Sequence, residues 1–475
     1  MRRWSIGAII SVLVILGSLL AFTFWQYLGF RTSLETLPAG VTVAGLDVSG
    51  MTVDQALSAL QAAFAQPVQL DYQEQALALT PESVAFQFDL PATQTAIESA
   101  LAGRNSLEGF LTYLLRRPTE PVAIQVVADY SPDRLDGFLS RVSQQYDHPP
   151  IPPVPLPAAL TFRAGQAGYE LDFEASRQAV VAALFSATSR YARLVVTREE
   201  APGLEAEQLE AMFDSLLGSF DGIASIFVKD MQTGTEITIN PEVAYAGMSV
   251  IKIAIMVEAY RALSETPSID ETRLLSETMT LSGNFTANLL LQEVIGRGDA
   301  YQGVENLTAS MQYLGLINTF MAAPYDEEII PPTIITPANS RTDLNTQPDP
   351  YMQTTAQDIG LLLEMIYQCQ HGGGALLAAY PDAFTPQECQ QMLDMMVQNE
   401  IDTLIESGLP PDTPVAHKHG WIGDTHSDAG LVFSPDGDFV LVIFLYHPDW
   451  LEWEISSALI ADLSAATYNY FNPAE

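Results

Sequence analysis

The sequence predicts an α+β protein built from one N-terminal membrane helix, two small α+β modules and a C-terminal domain in which helices flank an antiparallel sheet. Three observations predict this class: an uncharged opening segment, a strand–cap–helix pattern that occurs twice, and strand hairpins at both ends of a largely helical last part. With 475 residues, the chain has room for about three domains of ordinary size.

The composition excludes several classes of protein. The chain has 20 Lys and Arg against 58 Asp and Glu, a net charge of −38, and so acidic a surface should repel nucleic acid. Hydrophobic residues make up 48%, which is enough for packed cores and rules out wholesale disorder. Two cysteines cannot form a disulfide scaffold or a Cys-rich zinc site. Cys369 and Cys389 form either one disulfide or two buried free thiols, and the sequence leaves both open.

The N-terminal segment indicates a membrane anchor. No charge occurs from Trp4 to Phe30, and the nearly continuous apolar run Ile6–Phe24 is long enough to cross a bilayer core of about 30 Å. Arg2 and Arg3 precede this run, which favours a cytoplasmic N-terminus. The aromatic residues expected at the two membrane interfaces are Trp4, Trp25 and Tyr27.

We therefore predict a cytoplasmic tip at residues 1–3, a transmembrane signal anchor at 4–30 and an extracytoplasmic remainder, so that the protein is single-pass in the cell membrane. A cleaved signal peptide is the alternative. It would need a shorter apolar region followed by a small-x-small cleavage site, and the bulky segment Phe22–Phe30 offers none.

Two stretches after the anchor share one pattern. Phe86–Leu101 and Tyr169–Leu184 each predict a strand, an N-cap and a helix. The matching positions are Asp89 with Asp172, Ala96 with Ala179, and Leu101 with Leu184. We predict that residues 36–116 and 117–203 are two copies of one small α+β module.

The segments Leu37–Ala56 and Gly168–Asp172 resemble the peptidoglycan-binding module that precedes transpeptidase-like domains in bacterial wall proteins. The resemblance implies that the modules bind peptidoglycan. A stalk that lifts the last domain from the membrane is an equally open role. The Pro-rich segment His148–Pro157 predicts a stiff spacer or an edge segment rather than a motif for a partner.

Residues 204–475 form the predicted last domain. Its elements are the helix Leu204–Phe220, a hairpin of Ile223–Asp230 with Glu236–Ile239, a second hairpin of Asp428–Ser434 with Phe439–Tyr446, and a final helix from Glu452 to about Tyr468. Strands at both ends with helices between them predict one antiparallel sheet that both termini complete.

Ser249 and Lys252 are the first candidates for chemistry. They open an apolar helix, Ile251–Leu263, and residues three apart share a helix face, so the two side chains should be neighbours. A lysine in a buried helix has a lowered pKa, which suits it to act as a base. By themselves the two residues are also compatible with a helix cap followed by a lysine that reaches solvent.

Two further motifs follow in order, Ser282-Gly-Asn284 and Lys418-His-Gly420. Together with Ser249-Val-Ile-Lys252 they match a Ser-x-x-Lys box, a Ser-x-Asn box and a Lys-Thr-Gly box. Over residues 204–475 the chain resembles the class A β-lactamase-like serine hydrolases, a family of the penicillin-recognising serine enzymes. The turn Asp230–Gly234 supports the resemblance.

The resemblance implies a role for each matched residue. Ser249 would be the nucleophile, Lys252 its activating base, and Ser282 the group that passes the proton to the leaving nitrogen. Asn284 would bind the substrate amide or orient Lys252. Lys418 would attract the substrate carboxylate.

Three more residues complete the implied site. His419 and Gly420 follow Lys418 and belong to the substrate-binding part, where Gly420 would let the substrate approach the strand. The backbone N–H groups of Ser249 and Trp421 would form the oxyanion hole.

The chain departs from the family pattern in four ways, the first of which is that only 33 positions separate Ser249 from Ser282, fewer than in the classical enzymes. Gly283 stands where Asp is usual, and His419 stands where Thr is usual, so a hydroxyl contact with the substrate carboxylate is lost. The loop after Gly315–Thr319 lacks the Glu-x-x-x-Asn pattern that positions the deacylating water. Its carboxylates, which we expect to form a solvated acidic loop rather than to supply a base, are Asp326, Glu327 and Glu328.

A metal centre is the competing interpretation of the histidines near the third box. His417, His419 and His426 lie close in sequence to Asp424 and Asp428. Zinc needs three or four converging ligands, and this segment has the pattern of a hairpin turn instead. We therefore expect neither a metal nor another cofactor.

Together these features predict a membrane-anchored, extracytoplasmic serine hydrolase that forms an acyl-enzyme at Ser249. The expected substrates are a β-lactam or a D-Ala-D-Ala-type cell-wall peptide, because both carry an amide near a carboxylate. The alternative is a non-catalytic peptidoglycan-binding or scaffold protein that keeps the β-lactamase fold. The absent loop glutamate and the His419 substitution favour this alternative, whereas the intact set of Ser249, Lys252, Ser282, Asn284 and Lys418 opposes it.

Overall fold

The chain forms two compact units in a computed structural model. The described residues are 6–263, 266–327 and 331–473. The first unit comprises residues 1–151 and 166–201, and the second comprises 152–165 and 202–475. Both units mix helices and strands, so the predicted α+β class is confirmed. The predictions for Arg2, Arg3, Trp4 and Glu328 fall outside the described residues.

A long helix, Ile6–Ser33, opens the first unit. Its segment Ala8–Ser33 is long and apolar enough to cross a membrane. Leu20 and Phe24 are 71% and 63% exposed, so the protein itself does not bury this apolar surface. Length and composition therefore agree with the predicted anchor, while its orientation across the membrane stays a prediction.

The rest of the first unit is a set of small sheets with helices between them. Its further helices are Val53–Phe64, Leu90–Ala100, Leu107–Leu114, Pro132–Tyr146 and Phe173–Leu184. Its strands are Val41–Val43, Leu46–Asp47, Val68–Tyr72, Gln75–Leu79, Gln87–Phe88, Val122–Ile124, Ala128–Asp129, Gly168–Leu171, Tyr191–Arg193 and Val196–Glu199.

The strand pairing links the two stretches that the sequence suggested as copies. Val41–Val43 pairs in parallel with Val122–Ile124, and Val68–Tyr72 pairs in parallel with Tyr191–Arg193. The two stretches are therefore interleaved within one unit. Their origin from one duplicated module stays a prediction.

The repeated helix cap is present in both stretches. Asp89 Oδ1 accepts the backbone N–H of Ala92 at 2.9 Å, and Asp172 Oδ1 accepts that of Ala175 at 2.9 Å. Each aspartate satisfies a backbone donor that the first turn of a helix leaves unpaired. The local part of the repeated pattern thus has the physical basis that the sequence indicated.

The second unit is built on an antiparallel five-stranded sheet. In sheet order, its strands are Glu236–Ile239, Ile223–Asp230, Phe439–Tyr446, Thr425–Val432 and Val415–Trp421. All neighbouring strands are antiparallel. Strands from both ends of the domain therefore meet in one sheet, which confirms the predicted architecture.

Helices cover both faces of this sheet. The α-helices of this unit are Ala206–Leu217, Lys252–Ala262, Ile269–Thr280, Asn284–Leu289, Ala300–Tyr313, Ala356–Gln370, Gly374–Ala379, Pro386–Val397 and Trp453–Phe471. A π-helical stretch lies at Leu290–Ile295. Three short strands form a separate small sheet: Tyr245–Ala246, Phe320–Met321 and Met352–Thr354. Alternate side chains of a strand point to opposite faces. Phe227 accordingly packs into the core around Lys252–Ala262, and Ile226 into the core around Ala206–Leu217 and Trp453–Phe471.

Residues 152–165 add a hairpin to the second unit. Val154–Leu156 pairs with Thr161–Arg163, and Asn469 Nδ2 donates a hydrogen bond to the carbonyl oxygen of Leu160 at 2.7 Å. Part of the Pro-rich segment His148–Pro157 is therefore a strand of this hairpin. Of the two roles predicted for the segment, this agrees with an edge segment rather than with a spacer.

Cys369 and Cys389 are joined by a disulfide. It links the helix Ala356–Gln370 to the helix Pro386–Val397. Of the two possibilities that the sequence left open, the structure contains the disulfide. Such bonds are typical of proteins outside the cytoplasm.

Candidate active site

Ser249 lies on the turn that leads into the helix Lys252–Ala262. The preceding residue, Met248, has a left-handed φ of 45°, which is uncommon for a residue with a side chain. The hydroxyl of the buried Tyr325 donates to the carbonyl oxygen of Met248 at 2.7 Å. This bond holds a strained backbone that presents Ser249 at the start of the helix.

The ammonium group of Lys252 connects the first two boxes. Its Nζ donates to Ser249 Oγ at 2.7 Å, to Asn284 Oδ1 at 2.8 Å and to the carbonyl oxygen of Ser282 at 3.0 Å. Ser282 Oγ lies 3.4 Å from the same nitrogen, and the ring centroid of Tyr325 lies 4.5 Å from it. One buried amine thus contacts both candidate serines and the asparagine of the second box.

Burial sets the protonation of this amine. Lys252 is fully buried, and burial lowers its pKa to about 7, while the negative charge of Asp326 acts in the opposite direction. A pKa in this range leaves a large fraction of the side chain as a neutral amine near neutral pH. A neutral amine at hydrogen-bond distance is able to accept the Ser249 proton.

The structure gives a packing reason for Gly283, where the family usually has Asp. A Cβ atom at this position would lie 2.6 Å from Thr286 Oγ1. That hydroxyl is fixed, because it accepts from Thr278 Oγ1 at 2.9 Å and donates to the carbonyl oxygen of Gly283 at 3.1 Å. A larger residue would therefore displace the threonine pair beneath the second box.

The third box lies on the edge strand Val415–Trp421. A Cβ atom at Gly420 would lie 2.9 Å from the backbone N of Ser249 and 3.1 Å from that of Val250. The end of the strand therefore lies directly against the turn that carries Ser249. We predicted that Gly420 gives room to the substrate, and the contact with this turn is a second reason for glycine here.

Lys418 is the second buried lysine of the site. Its Nζ donates to the carbonyl oxygen of His419 at 3.2 Å. Burial, together with the positive charge of Lys252, lowers the pKa of Lys418 to about 7, while Asp428 opposes the shift. The positive charge of Lys252 therefore disfavours that of Lys418, so the two groups do not titrate independently.

Asn399 fixes the tautomer of His419. Asn399 Nδ2 donates to the carbonyl oxygen of His417 at 3.1 Å, and its Oδ1 accepts the backbone N–H of Ile401 at 3.2 Å, so the amide has one orientation. The same Nδ2 lies 3.2 Å from His419 Nδ1, which must therefore be the acceptor. The ring proton of the neutral His419 is on Nε2.

The His419 ring is neutral and is stacked on a neighbouring aromatic ring. Burial, followed by the nearby charge of Lys418, lowers its pKa to about 3. The ring stacks on Trp421 with centroids 4.9 Å apart and an interplanar angle of 21°. The residue that replaces the usual Thr thus presents an N–H donor of its own.

The other histidines of this segment have different partners. His417 Nδ1 lies 3.0 Å from Asp428 Oδ2. Burial disfavours the charged ring, but Asp428 and Glu406 outweigh it and raise the pKa of His417 to about 9. His426 Nδ1 instead lies 2.5 Å from Ser456 Oγ. Within the described ranges, no three His, Cys, Asp or Glu side chains converge as metal ligands would.

A loop carboxylate reaches the second box. Asn288 exchanges two hydrogen bonds with the backbone of Tyr325, both at 2.9 Å, and this pair fixes the start of the loop. The next residue, Asp326, has a left-handed φ of 60°, and its Oδ2 accepts from Asn284 Nδ2 at 3.3 Å. Asp326 is exposed, as the sequence predicted for this loop, but the sequence gave no sign of its contact with Asn284.

These residues border a cleft of about 630 Å³. Its lining includes the predicted residues Ser249, Ser282, Asn284, His419, Gly420 and Trp421. Lys252 and Lys418 are buried and contact lining residues. Leu281 and Trp421 are 58% and 46% exposed, and both give the cleft apolar surface.

A Ser-x-x-Lys box at the start of a helix, beside the edge of an antiparallel sheet, is typical of the penicillin-recognising serine enzymes. The model of the Beta-lactamase enzyme family matches residues 206–272 and 268–471, more than half of the 475 residues. The chain therefore belongs to the β-lactamase enzyme family. No curated protein matches the sequence.

Several solved structures are similar to part of the chain. PBP-A has 18% identity and a TM-score of 0.44, and the match covers 57% of this chain and 99% of that one. An ancestral class A β-lactamase has 21% identity and a TM-score of 0.42, covering 55% and 98%. A β-lactamase from Sphaerobacter thermophilus has 16% identity and a TM-score of 0.43, covering 57% and 100%. These likenesses carry no information on the substrate.

Exchange of Asn399 for Asp should reverse the tautomer of His419. A carboxylate only accepts hydrogen bonds, so it would draw the proton to Nδ1, and its charge should raise the pKa of His419 by about one to three units. ¹⁵N NMR of the imidazole nitrogens measures both effects. His419→Gln identifies the signal, and His426 should be unchanged. An Nδ1–H tautomer in the unaltered protein would contradict the assignment.

Proposed function

We propose that the protein is a membrane-anchored, extracytoplasmic serine hydrolase that forms an acyl-enzyme at Ser249. Its substrate is a β-lactam or a D-Ala-D-Ala-type cell-wall peptide. The observation that carries the proposal is the buried Nζ of Lys252 at 2.7 Å from Ser249 Oγ. A serine with an adjacent base of lowered pKa is an activated nucleophile.

The acylation step uses three side chains. Neutral Lys252 takes the proton of Ser249 while Oγ attacks the substrate carbonyl carbon. The oxygen that becomes anionic is stabilised by the backbone N–H groups of Ser249 and Trp421, and the close approach of Gly420 to the Ser249 nitrogen supports this pairing. The C–N bond then breaks, and Ser282 Oγ, 3.4 Å from Lys252 Nζ, relays the proton to the leaving nitrogen.

The third box supplies recognition of the substrate carboxylate. Lys418 contributes positive charge, and His419 contributes the Nε2–H donor that Asn399 orients. The lost hydroxyl of the family pattern is therefore replaced by another donor. The apolar surface of Leu281 and Trp421 suits a substrate that carries an apolar group beside its amide.

The remaining parts of the proposal concern location and wall binding. The helix Ile6–Ser33 would be the anchor with its N-terminus in the cytoplasm, and the disulfide of Cys369 with Cys389 supports an oxidising compartment for the second unit. Residues 36–203 would bind peptidoglycan or act as a stalk.

Ser249 should form a covalent adduct with a fluorescent penicillin. The full-length protein should gain the mass of one probe molecule, and Ser249→Ala should gain none, because the nucleophile is lost. Intact-mass spectrometry makes the measurement. Loss of the probe without an adduct, if it depends on Ser249, would indicate rapid turnover. Neither adduct nor turnover would contradict the proposal and favour the non-catalytic scaffold.

Asp326→Asn should lengthen the life of that adduct. The sequence led us to expect no base in this loop, but Asp326 is the described loop carboxylate bonded to Asn284, so it is the candidate to activate the hydrolytic water. General-base catalysis contributes about 10²–10⁴-fold, and release should slow by a factor in this range. The decay of the adduct after removal of free probe measures the rate. Glu327→Gln, on the next residue, is the matched control, and equal decay in all three proteins would exclude Asp326 as the base.

The rate of acylation should have a maximum near neutral pH. It should rise as the coupled pair of lysines loses its first proton at about pH 7, because the productive form has a neutral Lys252, which accepts the Ser249 proton, beside a charged Lys418. It should fall again as Lys418, whose pKa is also lowered to about 7, loses the charge that binds the carboxylate. Stopped-flow acylation by benzylpenicillin gives the profile.

The methyl ester of benzylpenicillin is the control for this profile. It has no free carboxylate, so its acylation should keep the rising limb and lose the falling one. Lys418→Arg should likewise extend the rate of the free acid to alkaline pH, since arginine stays charged. A falling limb that persists in both cases would show that Lys418 is not the carboxylate partner.

A further inference from the structure

The helix Leu107–Leu114 of the first unit leaves an apolar stripe uncovered. Leu107 is 76% exposed, Leu111 is 46% exposed, and Leu115, just beyond the helix, is 58% exposed. Residues four apart share one face of a helix, so the three leucines form one row. Nothing within the part of the unit that the structure describes covers this row. We call the element Leu107–Leu114 the docking helix.

The other face of the docking helix packs on the end of the long N-terminal helix. The ring of Phe110 lies 5.7 Å from Tyr27 and 5.3 Å from Phe30, and Tyr113 lies 5.6 Å from Phe30. A bilayer core of about 30 Å takes roughly 20 residues of helix, and Ile6–Ser33 has 28. If this helix spans the core, its last turns emerge at the headgroups, and the docking helix lies at that level.

A basic cavity adjoins the docking helix. It has a volume of about 510 Å³, and its lining includes Arg104, Arg116 and Arg117. These three are the only Lys or Arg residues between Arg31 and Arg134. Glu108 also lines the cavity. In a chain with a net charge of −38, such a local excess of positive charge indicates an anionic partner.

The three arginines of the cavity differ in whether their side chains already have a bonding partner in the protein. Arg104 is engaged, because it donates to the carbonyl oxygens of Ser33 at 3.1 Å and Thr36 at 3.0 Å, at the end of the N-terminal helix. Arg116 and Arg117 are exposed and make no ion pair with any described residue. Their guanidinium groups remain available for a phosphate.

We propose that the docking helix is a membrane-surface element that lies in the headgroup region of the bilayer beside the anchor. Its leucine row enters the acyl boundary, and Arg116 and Arg117 bind the phosphate groups of anionic lipids. Apolar side chains on one face with arginines beside them are the pattern of interfacial helices. This inference rests on the proposed membrane anchor. It commits to a lipid bilayer as the partner, because the face is continuous with the helix that would span it.

The test uses the full-length protein in nanodiscs of phosphatidylcholine with or without phosphatidylglycerol. An environment-sensitive fluorophore is attached at Leu111→Cys, and Cys369 and Cys389 do not react because they are bonded to each other. Lipids with a spin label near the headgroup should quench the probe strongly. Leu19→Cys, measured with lipids that carry the spin label deep in the acyl chain, reports on the anchor because this residue lies near the middle of the proposed membrane helix. Ile269→Cys, at a position that is 89% exposed in the second unit, is the water-exposed control for both labels.

Quenching at both position 19 and position 111, with none at 269, is the expected result. Quenching at 19 but not at 111 would overturn the docking helix and leave the anchor intact. Absence of quenching at both would overturn the anchor and the docking helix together. None of these outcomes depends on whether Ser249 is acylated.

A separate experiment tests the role of Arg116 and Arg117. Arg116→Gln with Arg117→Gln should reduce the quenching at position 111 in phosphatidylglycerol discs to the level seen in pure phosphatidylcholine. Arg134→Gln, which changes a basic residue outside the cavity, should leave it unchanged. Equal quenching in the double variant and the unaltered protein would overturn the phosphate contact.

Discussion

The hydrogen bonds of the buried Lys252 amine are the interaction on which the site depends. Burying a charged lysine away from water costs several kcal/mol unless polar groups surround its amine. Here Ser249, Ser282 and Asn284 provide those polar groups. The same contacts bring the first two boxes together. Left-handed backbone at Met248 and Ser282, at about 1–3 kcal/mol each, shows that the fold maintains local strain to keep these partners in place.

The parts of the fold and of the site that could be predicted are those that a local sequence pattern encodes. Alternating hydrophobic residues predicted the hairpins, and the three-residue spacing of Ser249 and Lys252 predicted their contact. Tyr325 and Asn399 escaped prediction because irregular loops bring them in, and no periodicity records such an approach. The interleaved strands of the first unit escaped for the same reason, since parallel pairing between distant segments leaves no local pattern.

The site contains two buried lysines in an otherwise acidic protein. Lys252 and Lys418 are both fully buried, and the charge of Lys252 lowers the pKa of Lys418. The neutral state of His419 prevents a third charge from adding to this repulsion, while its Nε2–H still donates. An anion in the cleft would relieve the repulsion, because it stabilises the charged form of Lys418. This electrostatic setting supports the proposal of a substrate that carries a carboxylate.

The departures from the family pattern argue against a decayed site. Gly283 is required by the hydroxyl of Thr286, and His419 replaces a hydroxyl donor with an N–H donor that Asn399 orients and Trp421 stacks upon. Random loss of function would remove a donor without supplying another, and it would not retain the costly burial of Lys252. The usual loop glutamate is absent, but the carboxylate of Asp326 accepts a hydrogen bond from Asn284. Each change thus has a packing reason or a neighbouring contact in its surroundings, and this supports the proposal of a catalytic site over that of a non-catalytic scaffold.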